Sequence, residues 1–310
     1  MSIVDRREEL MGLLGKLPSR TKPIQAHLLQ EQENSSYILE KLVLELNDRE
    51  PVPAYFLRAK NASPRSPVIL YNHSHGGRYK VGKEELLSPA PYMYAASYGE
   101  SLTQLGISVL CIDAWAFGER SVRSESTICK ELLWQGRTMW GMMVFDSLRA
   151  VDYLVSRSDV DPERIGTLGM SMGSTMAWWL AALDPRIQVT VDICCLTDFE
   201  TLLEEDGLNR HGLYYYVPDL LNHFTTAQIN ALIAPRSHLS LAGSLDPLTP
   251  VKGLDKIDRE LRSVYKALGA SESWKLSRYD VAHLETKAMR EEVIAYLRAW
   301  RDSGFFRLGR

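Results

Sequence analysis

The stretch TLGMSMGS, residues 167–174, decides the fold class. It follows an apolar run, precedes a run with helical spacing, and places a serine in the pattern Gly-x-Ser-x-Gly. At a strand-to-helix turn, Gly169 and Gly173 would remove side chains that collide, and Ser171 would present its hydroxyl at the helix N-terminus. An ordinary tight turn can carry the same spacing, so the interpretation depends on the rest of the chain.

Strands and helices alternate on both sides of this turn. Buried strands that run into loops are predicted within 66–77, 107–113, 164–171, 187–195, 237–247 and 273–283, and helices over 141–157, 173–183 and 286–300. Such alternation indicates an α/β fold with a mostly parallel, twisted sheet and helices on both faces.

Two segments depart from this alternation. Helical spacing over 5–15, ended by Pro18 and Pro23, predicts an N-terminal helical arm, which we assign to residues 1–36. Residues 37–46 and 52–59 then alternate as an antiparallel hairpin, which is expected to form one edge of the sheet and to open a catalytic domain over 37–310.

A long aromatic and apolar excursion interrupts the second half of the chain. It covers about 199–236 and includes HGLYYYVPDLLNHF. An insertion of this length in a compact domain is typical of a lid or a pocket wall.

The serine is a poor nucleophile unless a base and an orienting acid accompany it. Asp246 and His283 follow later predicted strands, so their loops would lie at the same end of a parallel sheet as Ser171. The order Ser, Asp, His predicts that Asp246 orients His283 and that His283 accepts the proton of Ser171. Asp198, which also follows a strand, is a competing acid.

An attacked carbonyl would also need two hydrogen-bond donors for its oxyanion. The N–H of Met172, directly after the serine, is one candidate. The loop NHSHGG supplies the other, with the N–H of His75 as the first choice and that of Gly76 as the second. The side chains of His73 and His75 are expected to brace this loop rather than to bind a metal.

These motifs together resemble the α/β-hydrolase superfamily, in particular its dienelactone hydrolase and acetyl xylan esterase-like branch. The resemblance rests on YNHSHGG, IDAWAFGER, GMSMGS, ALIAPRSHLSLAGSLDPLTP and YDVAH, and covers roughly residues 37–300. Dienelactone hydrolases use a cysteine nucleophile, so the serine here implies similarity to serine carboxylesterases instead. The chain departs at Ser74, where a glycine is usual.

The resemblance implies a serine hydrolase that cleaves carboxylic esters of small or medium substrates through an acyl-enzyme, and a sugar deacetylase is one form of it. We expect neither a metal nor an organic cofactor. Tyr214, Tyr215 and Tyr216 in the insertion, and Arg78 in the first loop, are candidate substrate contacts. The alternatives are a prolyl oligopeptidase-like serine peptidase and a non-catalytic binding protein on a hydrolase fold.

Composition narrows the possible partners. Hydrophobic residues make up 45% of the 310 residues and the formal net charge is −3, with no basic run to bind nucleic acid. The first 20 residues alternate charged and apolar side chains and contain no continuous apolar segment. We therefore expect a cytoplasmic protein that binds no membrane; the sequence leaves its oligomeric state open. The four cysteines lack CxxC spacing and are expected to be buried thiols.

Overall fold

The computed structural model describes residues 2–62 and 64–303; Ser63 and residues 304–310 of the predicted catalytic domain lie outside these ranges. The strands are β1 (Ala26–Glu33), β2 (Tyr37–Leu44), β3 (Val52–Ala59), β4 (Ser66–Asn72), β5 (Ser108–Ile112), β6 (Val160–Met170), β7 (Ile187–Ile193), β8 (Ser237–Gly243) and β9 (Trp274–Tyr279). The α-helices are α1 (Ile3–Leu13), α2 (Tyr98–Gln104), α3 (Glu125–Trp134), α4 (Met139–Ser156), α5 (Met172–Leu183), α6 (Phe199–Glu204), α7 (Leu220–His223), α8 (Thr226–Ala231), α9 (Val251–Ala267) and α10 (Lys287–Asp302).

These strands form one sheet in the order β1-β2-β3-β5-β4-β6-β7-β8-β9. The pairs from β1 to β3, and β3 with β5, are antiparallel. All pairs from β5 through β4 to β9 are parallel. The prediction of a mostly parallel sheet in an α/β fold is therefore confirmed.

Two apolar cores lie on opposite faces of the sheet. Along β4, Val68 and Leu70 belong to the core that also contains residues of α4, α5 and α9. Ile69 and Tyr71, between and after them, belong to the core that contains residues of α2 and α10. Because successive side chains of a strand point to opposite faces, a strand buried on both sides reads as a continuous apolar run.

The predicted helical arm over residues 1–36 is wrong in part. A helix, α1, is present, but residues 26–33 form β1, which pairs antiparallel with β2 and takes the edge position expected of the hairpin. Every residue of β1 is exposed, so this strand forms through backbone pairing and shows no alternation of apolar and polar residues. Leu10 and Leu14 are fully buried in the first core, which makes the segment part of the domain rather than an appendage.

The predicted insertion contains α6, α7 and α8 and two short 3₁₀ helices, Leu208–Arg210 and Leu213–Tyr215. Polar contacts hold both of its ends. The N–H of Phe199 donates to Thr226 Oγ1, and the guanidinium of Arg236 donates to the carbonyl oxygens of Asp184 and Ile187. The segment is packed over much of its length, as a pocket wall would be.

None of the helices in the described part of the chain combines the length and the apolar character needed to cross a lipid bilayer. The four cysteines are free and buried, as expected.

Candidate active site

Ser171 lies between β6 and α5 with a backbone that few residues adopt. Its φ is 56° and its ψ is −120°, and its N–H donates to Ile193 O at 2.9 Å. A Cβ on Gly169 would lie 2.2 Å from Gly173 O, and one on Gly173 would lie 1.9 Å from Asn72 O. The two glycines of the motif are therefore needed to bring strand, serine and helix this close, and the strained backbone holds the serine out of both elements.

His283 and Asp246 reach this serine from the carboxyl ends of β9 and β8. His283 Nε2 is 2.9 Å from Ser171 Oγ, and His283 Nδ1 is 2.7 Å from Asp246 Oδ2. The other carboxylate oxygen of Asp246 accepts the N–H of Leu248 at 2.9 Å. A Cβ on Gly243 would lie 2.4 Å from Val281 O, so this glycine lets the histidine loop lie against the end of β8.

The environment of His283 favours its protonated form. Burial alone would lower the pKa of this imidazole, but the hydrogen bond and the negative charge of Asp246 outweigh burial, and the net pKa lies above 6.5. Asp246 is 4% exposed, so its carboxylate acts on the imidazole with little solvent screening. The pair is suited to hold a proton that arrives from Ser171 Oγ.

Backbone N–H groups of the Ser171 turn and of the loop after β4 are the candidate donors to an oxyanion. Met172 is the first residue of α5, where the helix leaves its N–H groups unpaired. In the loop after β4, the N–H of Ser74 donates to Glu85 Oε1 at 2.8 Å. Within the described residues, the N–H groups of Met172, His75 and Gly76 have no acceptor, which leaves them available to an oxyanion.

Side chains of the same loop fix its shape. His73 Nε2 accepts the N–H of Ala114 at 3.1 Å, so its Nδ1–H donates to Ser74 O at 2.8 Å. His75 Nδ1 accepts the N–H of Gly77 at 2.9 Å, so its Nε2–H donates to the Tyr214 hydroxyl at 2.9 Å.

His75 also stays uncharged at neutral pH. Burial, with smaller contributions from His73, His283 and His211, lowers its pKa to about 4. The described residues contain no group of three or more His, Cys, Asp or Glu side chains that could hold a metal ion.

Of the four candidate substrate contacts, two are buried and two are exposed. Tyr214 is buried, and its hydroxyl accepts a hydrogen bond from His75 in the loop after β4. Tyr215 is also buried, and its ring stacks on His211 at 4.5 Å. Tyr216 is 38% exposed, and its hydroxyl donates to Leu208 O. The side chain of Arg78 is exposed, while its N–H closes the loop on His75 O.

The competing acid Asp198 lies elsewhere. Its Oδ1 accepts the N–H and the hydroxyl of Thr201, so it caps α6.

Two residues near the site were not predicted from the sequence. Glu85 accepts the Ser74 N–H, and Tyr92 has a ring centroid 6.4 Å from that of His283. Neither stands in a recognisable motif, and only the folded chain brings them to the loop.

A parallel sheet with a serine elbow and His and Asp side chains at the carboxyl ends of later strands defines an α/β hydrolase, and the chain is a carboxylic ester hydrolase of this fold. It belongs to the acetyl xylan esterase (AXE1) family, whose model matches residues 37–216, more than half of the chain. The Bacillus subtilis (strain 168) protein YtaP is 49% identical over 296 residues, which are 96% of this chain and 99% of that protein.

Solved structures resemble the fold at lower identity. The glucuronoyl esterase from Solibacter usitatus superposes with a TM-score of 0.67 at 16% identity and covers 95% of this chain and 91% of its own. Acetyl Xylan Esterase 1 from Thermoanaerobacterium sp. JW/SL YS485 gives a TM-score of 0.61 at 13% identity and covers 96% and 93%. At these identities the likeness concerns the fold.

Proposed function

We propose that the chain hydrolyses carboxylic esters of small or medium substrates through an acyl-enzyme on Ser171. The observation that carries this proposal is the continuous pair of contacts from Asp246 Oδ2 to His283 Nδ1, 2.7 Å, and from His283 Nε2 to Ser171 Oγ, 2.9 Å. Ser171 Oγ attacks the ester carbonyl while His283 Nε2 accepts its proton. His283 then gives this proton to the departing alcohol.

The tetrahedral oxyanion is stabilised by the N–H groups of Met172 and His75, with Gly76 as the alternative to His75. The dipole of α5 adds to this stabilisation, because the helix begins at the residue after the nucleophile. Deacylation repeats the sequence with water, which His283 deprotonates. Asp246 keeps the imidazole in the tautomer that leaves Nε2 free to accept a proton.

Acetyl esters, including acetylated sugars, are the substrates that we propose first. The family match supports an ester substrate over the peptide bond of a prolyl oligopeptidase-like enzyme, and three hydrogen-bonding side chains in order speak against a non-catalytic binding protein. Substrate contacts by Tyr214, Tyr215, Tyr216 and Arg78 stay predictions from the sequence. The cytoplasmic location and a lid role for residues 199–236 stay predictions as well.

The test uses p-nitrophenyl acetate, a panel of acetylated sugars and aminoacyl amides, and a fluorophosphonate probe. Ser171→Ala is expected to lower turnover by about four orders of magnitude or more and to abolish labelling, because no other described hydroxyl contacts His283 Nε2. Ser174→Ala is the matched control: Ser174 is buried in the first turn of α5, three residues after Ser171, and its hydroxyl is 3.4 Å from Asp192 Oδ1. This variant should keep both turnover and labelling.

The alternatives give other outcomes. Cleavage of the amides without cleavage of the esters would favour the peptidase. A folded wild-type protein that is inert toward every substrate and toward the probe would favour the binding protein. Turnover that survives in Ser171→Ala would contradict the assignment of the nucleophile.

A further inference from the structure

We propose that Glu85 is a positioning residue for ester hydrolysis: its buried carboxylate acts through Ser74 and Tyr92 to hold the loop that supplies the second oxyanion donor. The inference rests on the proposed function, because it assumes that the loop over residues 73–77 faces the oxyanion. Ser74, at which the chain departs from the glycine usual in the superfamily, is the residue through which Glu85 reaches this loop.

Glu85 gathers hydrogen bonds from three donors. It lies in the short 3₁₀ helix Gly82–Leu86 and is 2% exposed. Its Oε1 accepts the Ser74 N–H at 2.8 Å and the Tyr71 hydroxyl at 2.8 Å, and its Oε2 accepts the Ser74 hydroxyl. No Lys, Arg or His side chain in the described ranges forms an ion pair with it, so these donors and their positions are what stabilise the carboxylate.

The hydrogen bonds continue from Ser74 to Tyr92. Because the Ser74 hydroxyl donates to Glu85, it accepts from the Tyr92 hydroxyl, 2.6 Å away. Burial, with a further contribution from the charge of Glu85, raises the pKa of Tyr92 to about 12, so the phenol keeps its proton. One carboxylate thus fixes both the loop and the aromatic ring beside His283.

Tyr92 in turn shapes the loop by direct contact. A Cβ on Gly76 would lie 2.3 Å from Tyr92 Cε1, and Gly76 has a φ of 47°. The ring therefore packs directly on the backbone of Gly76, and its centroid is 6.4 Å from that of His283. A shift of Tyr92 would release the N–H groups of His75 and Gly76 from their present directions.

The helix that carries Glu85 is itself held in place. Asp113, which is fully buried, accepts the N–H of Lys83 at 2.7 Å and the ammonium of Lys83 at 2.9 Å. A Cβ on Gly82 would lie 2.1 Å from Asp113 Oδ1. Glu85 therefore projects from a rigid support, as positioning by a buried carboxylate requires.

The direct test is Glu85→Gln. The amide keeps the shape of the side chain but removes its charge and replaces the acceptor Oε2 by a donor. The Ser74 hydroxyl must then turn to accept from this amide instead of donating to it, which disrupts the order of donors along Glu85, Ser74 and Tyr92. We expect kcat per fluorophosphonate-labelled site to fall by about 10- to 100-fold with little change in KM, as for a small displacement of a transition-state donor. Affinity for a boronic acid that forms a tetrahedral serine adduct should fall by a similar factor.

A second variant keeps the proposal testable if Glu85→Gln does not fold. Tyr92→Phe removes only the hydroxyl that donates to Ser74 and keeps the ring that packs on Gly76. We expect a smaller loss, about 3- to 10-fold in kcat. Affinity for the boronic acid should again fall by a similar factor, while KM changes little. Ser66→Ala is the control, since it removes a buried hydroxyl pair with Ser108 at the other end of β4 and should lower stability without lowering kcat per labelled site.

The outcomes separate this inference from the proposed function. If Ser171→Ala is inactive while Glu85→Gln and Tyr92→Phe keep wild-type kcat and boronic acid affinity per labelled site, the role of Glu85 is wrong and the proposed function stands. Equal losses in kcat for Ser66→Ala and Glu85→Gln would reduce Glu85 to a structural residue. Turnover that survives in Ser171→Ala would contradict both the proposed function and the role of Glu85, since each assumes that Ser171 is the nucleophile.

Discussion

Ser171 combines a strained backbone with an ordinary side chain. Its φ of 56° places it where residues with a Cβ are seldom found, and the cost of about 1 to 3 kcal/mol must be met by the surrounding fold. The hydrogen bond from its N–H to Ile193 O and the helix that begins at Met172 hold it there. At this scale the proposed function depends on one hydroxyl whose surroundings, rather than its own chemistry, would make it reactive.

The protonation of His283 should appear in the pH dependence of the reaction. Only the neutral imidazole can accept the Ser171 proton, so kcat/KM rises as pH rises through the pKa of His283. Because Asp246 raises that pKa above 6.5 despite burial, we expect the midpoint of the acidic limb above pH 6.5. The measurement is kcat/KM for p-nitrophenyl acetate across this limb, with spontaneous hydrolysis subtracted.

Asp246→Asn tests the cause of this shift. The variant loses the hydrogen bond to an anion and its charge, so burial dominates and the midpoint should move below pH 6.5, with a plateau lower by about 10⁴-fold. Asp198→Asn is the control, because asparagine caps a helix as well as aspartate does and Asp198 contacts Thr201 rather than His283. If Asp198→Asn moved the midpoint and Asp246→Asn did not, the acid would be misassigned.

At the scale of elements, the site depends on how closely α5 approaches the end of β4. The Cα of Gly173 lies against Asn72 O, directly before the loop that begins at His73. This contact links the Ser171 turn to the loop over residues 73–77 without any side chain. A change in helix position at Gly173 therefore displaces both halves of the proposed oxyanion site together.

Gly173→Ala should be severely destabilising and inactive. Its Cβ would lie 1.9 Å from Asn72 O, a backbone atom that cannot rotate away, so the free energy of unfolding should fall by about 3 kcal/mol or more. Gly12→Ala is the matched control in α1, because nothing lies within 4 Å of its Cβ. It should raise stability by up to about 1 kcal/mol. Urea unfolding of the two variants checks the pair, and equal effects would contradict the contact at Gly173.

Elements with a buried face were predictable from the sequence, and those without one were not. The strand β4 is buried throughout and reads as an apolar run, whereas β1 is exposed throughout and carries no periodic signal. The serine turn was predictable because its spacing reflects a local steric need. Glu85 was not, since its contacts to Ser74 form between segments that only the tertiary structure brings together.

At the scale of the whole molecule, the insertion joins the loops that carry the proposed machinery. His211 donates through Nε2 to Leu248 O at 3.2 Å, and Arg210 donates to Pro247 O at 2.7 Å, both in the loop after Asp246. Tyr214 contacts the loop over residues 73–77 through His75. The insertion thus spans from the loop after Asp246 to the loop after β4, and the contacts of Tyr214 and Tyr215 are packing contacts with other rings.

The N-terminal helix α1 packs against the end of α5 and the end of the insertion. Arg7 donates to Ala182 O and Leu232 O, both at 2.9 Å, so α1 bridges the end of α5 and the end of the insertion. Leu10, fully buried, lies in the same core as the residues of α5. This segment should therefore contribute to global stability without contributing to the chemistry.

Leu10→Ala tests this separation. Removal of a fully buried leucine side chain from a packed core should lower the free energy of unfolding by about 2 to 5 kcal/mol, while kcat per fluorophosphonate-labelled site stays at the wild-type value. Leu29→Ala is the matched control, because Leu29 on β1 is 66% exposed and its loss should change stability by about 0.5 kcal/mol or less. Urea unfolding and active-site titration measure the two effects independently. Equal stability losses would mean that α1 packs no more tightly than the edge strand, and a lower kcat per labelled site in Leu10→Ala would mean that the N-terminal segment supports the site itself.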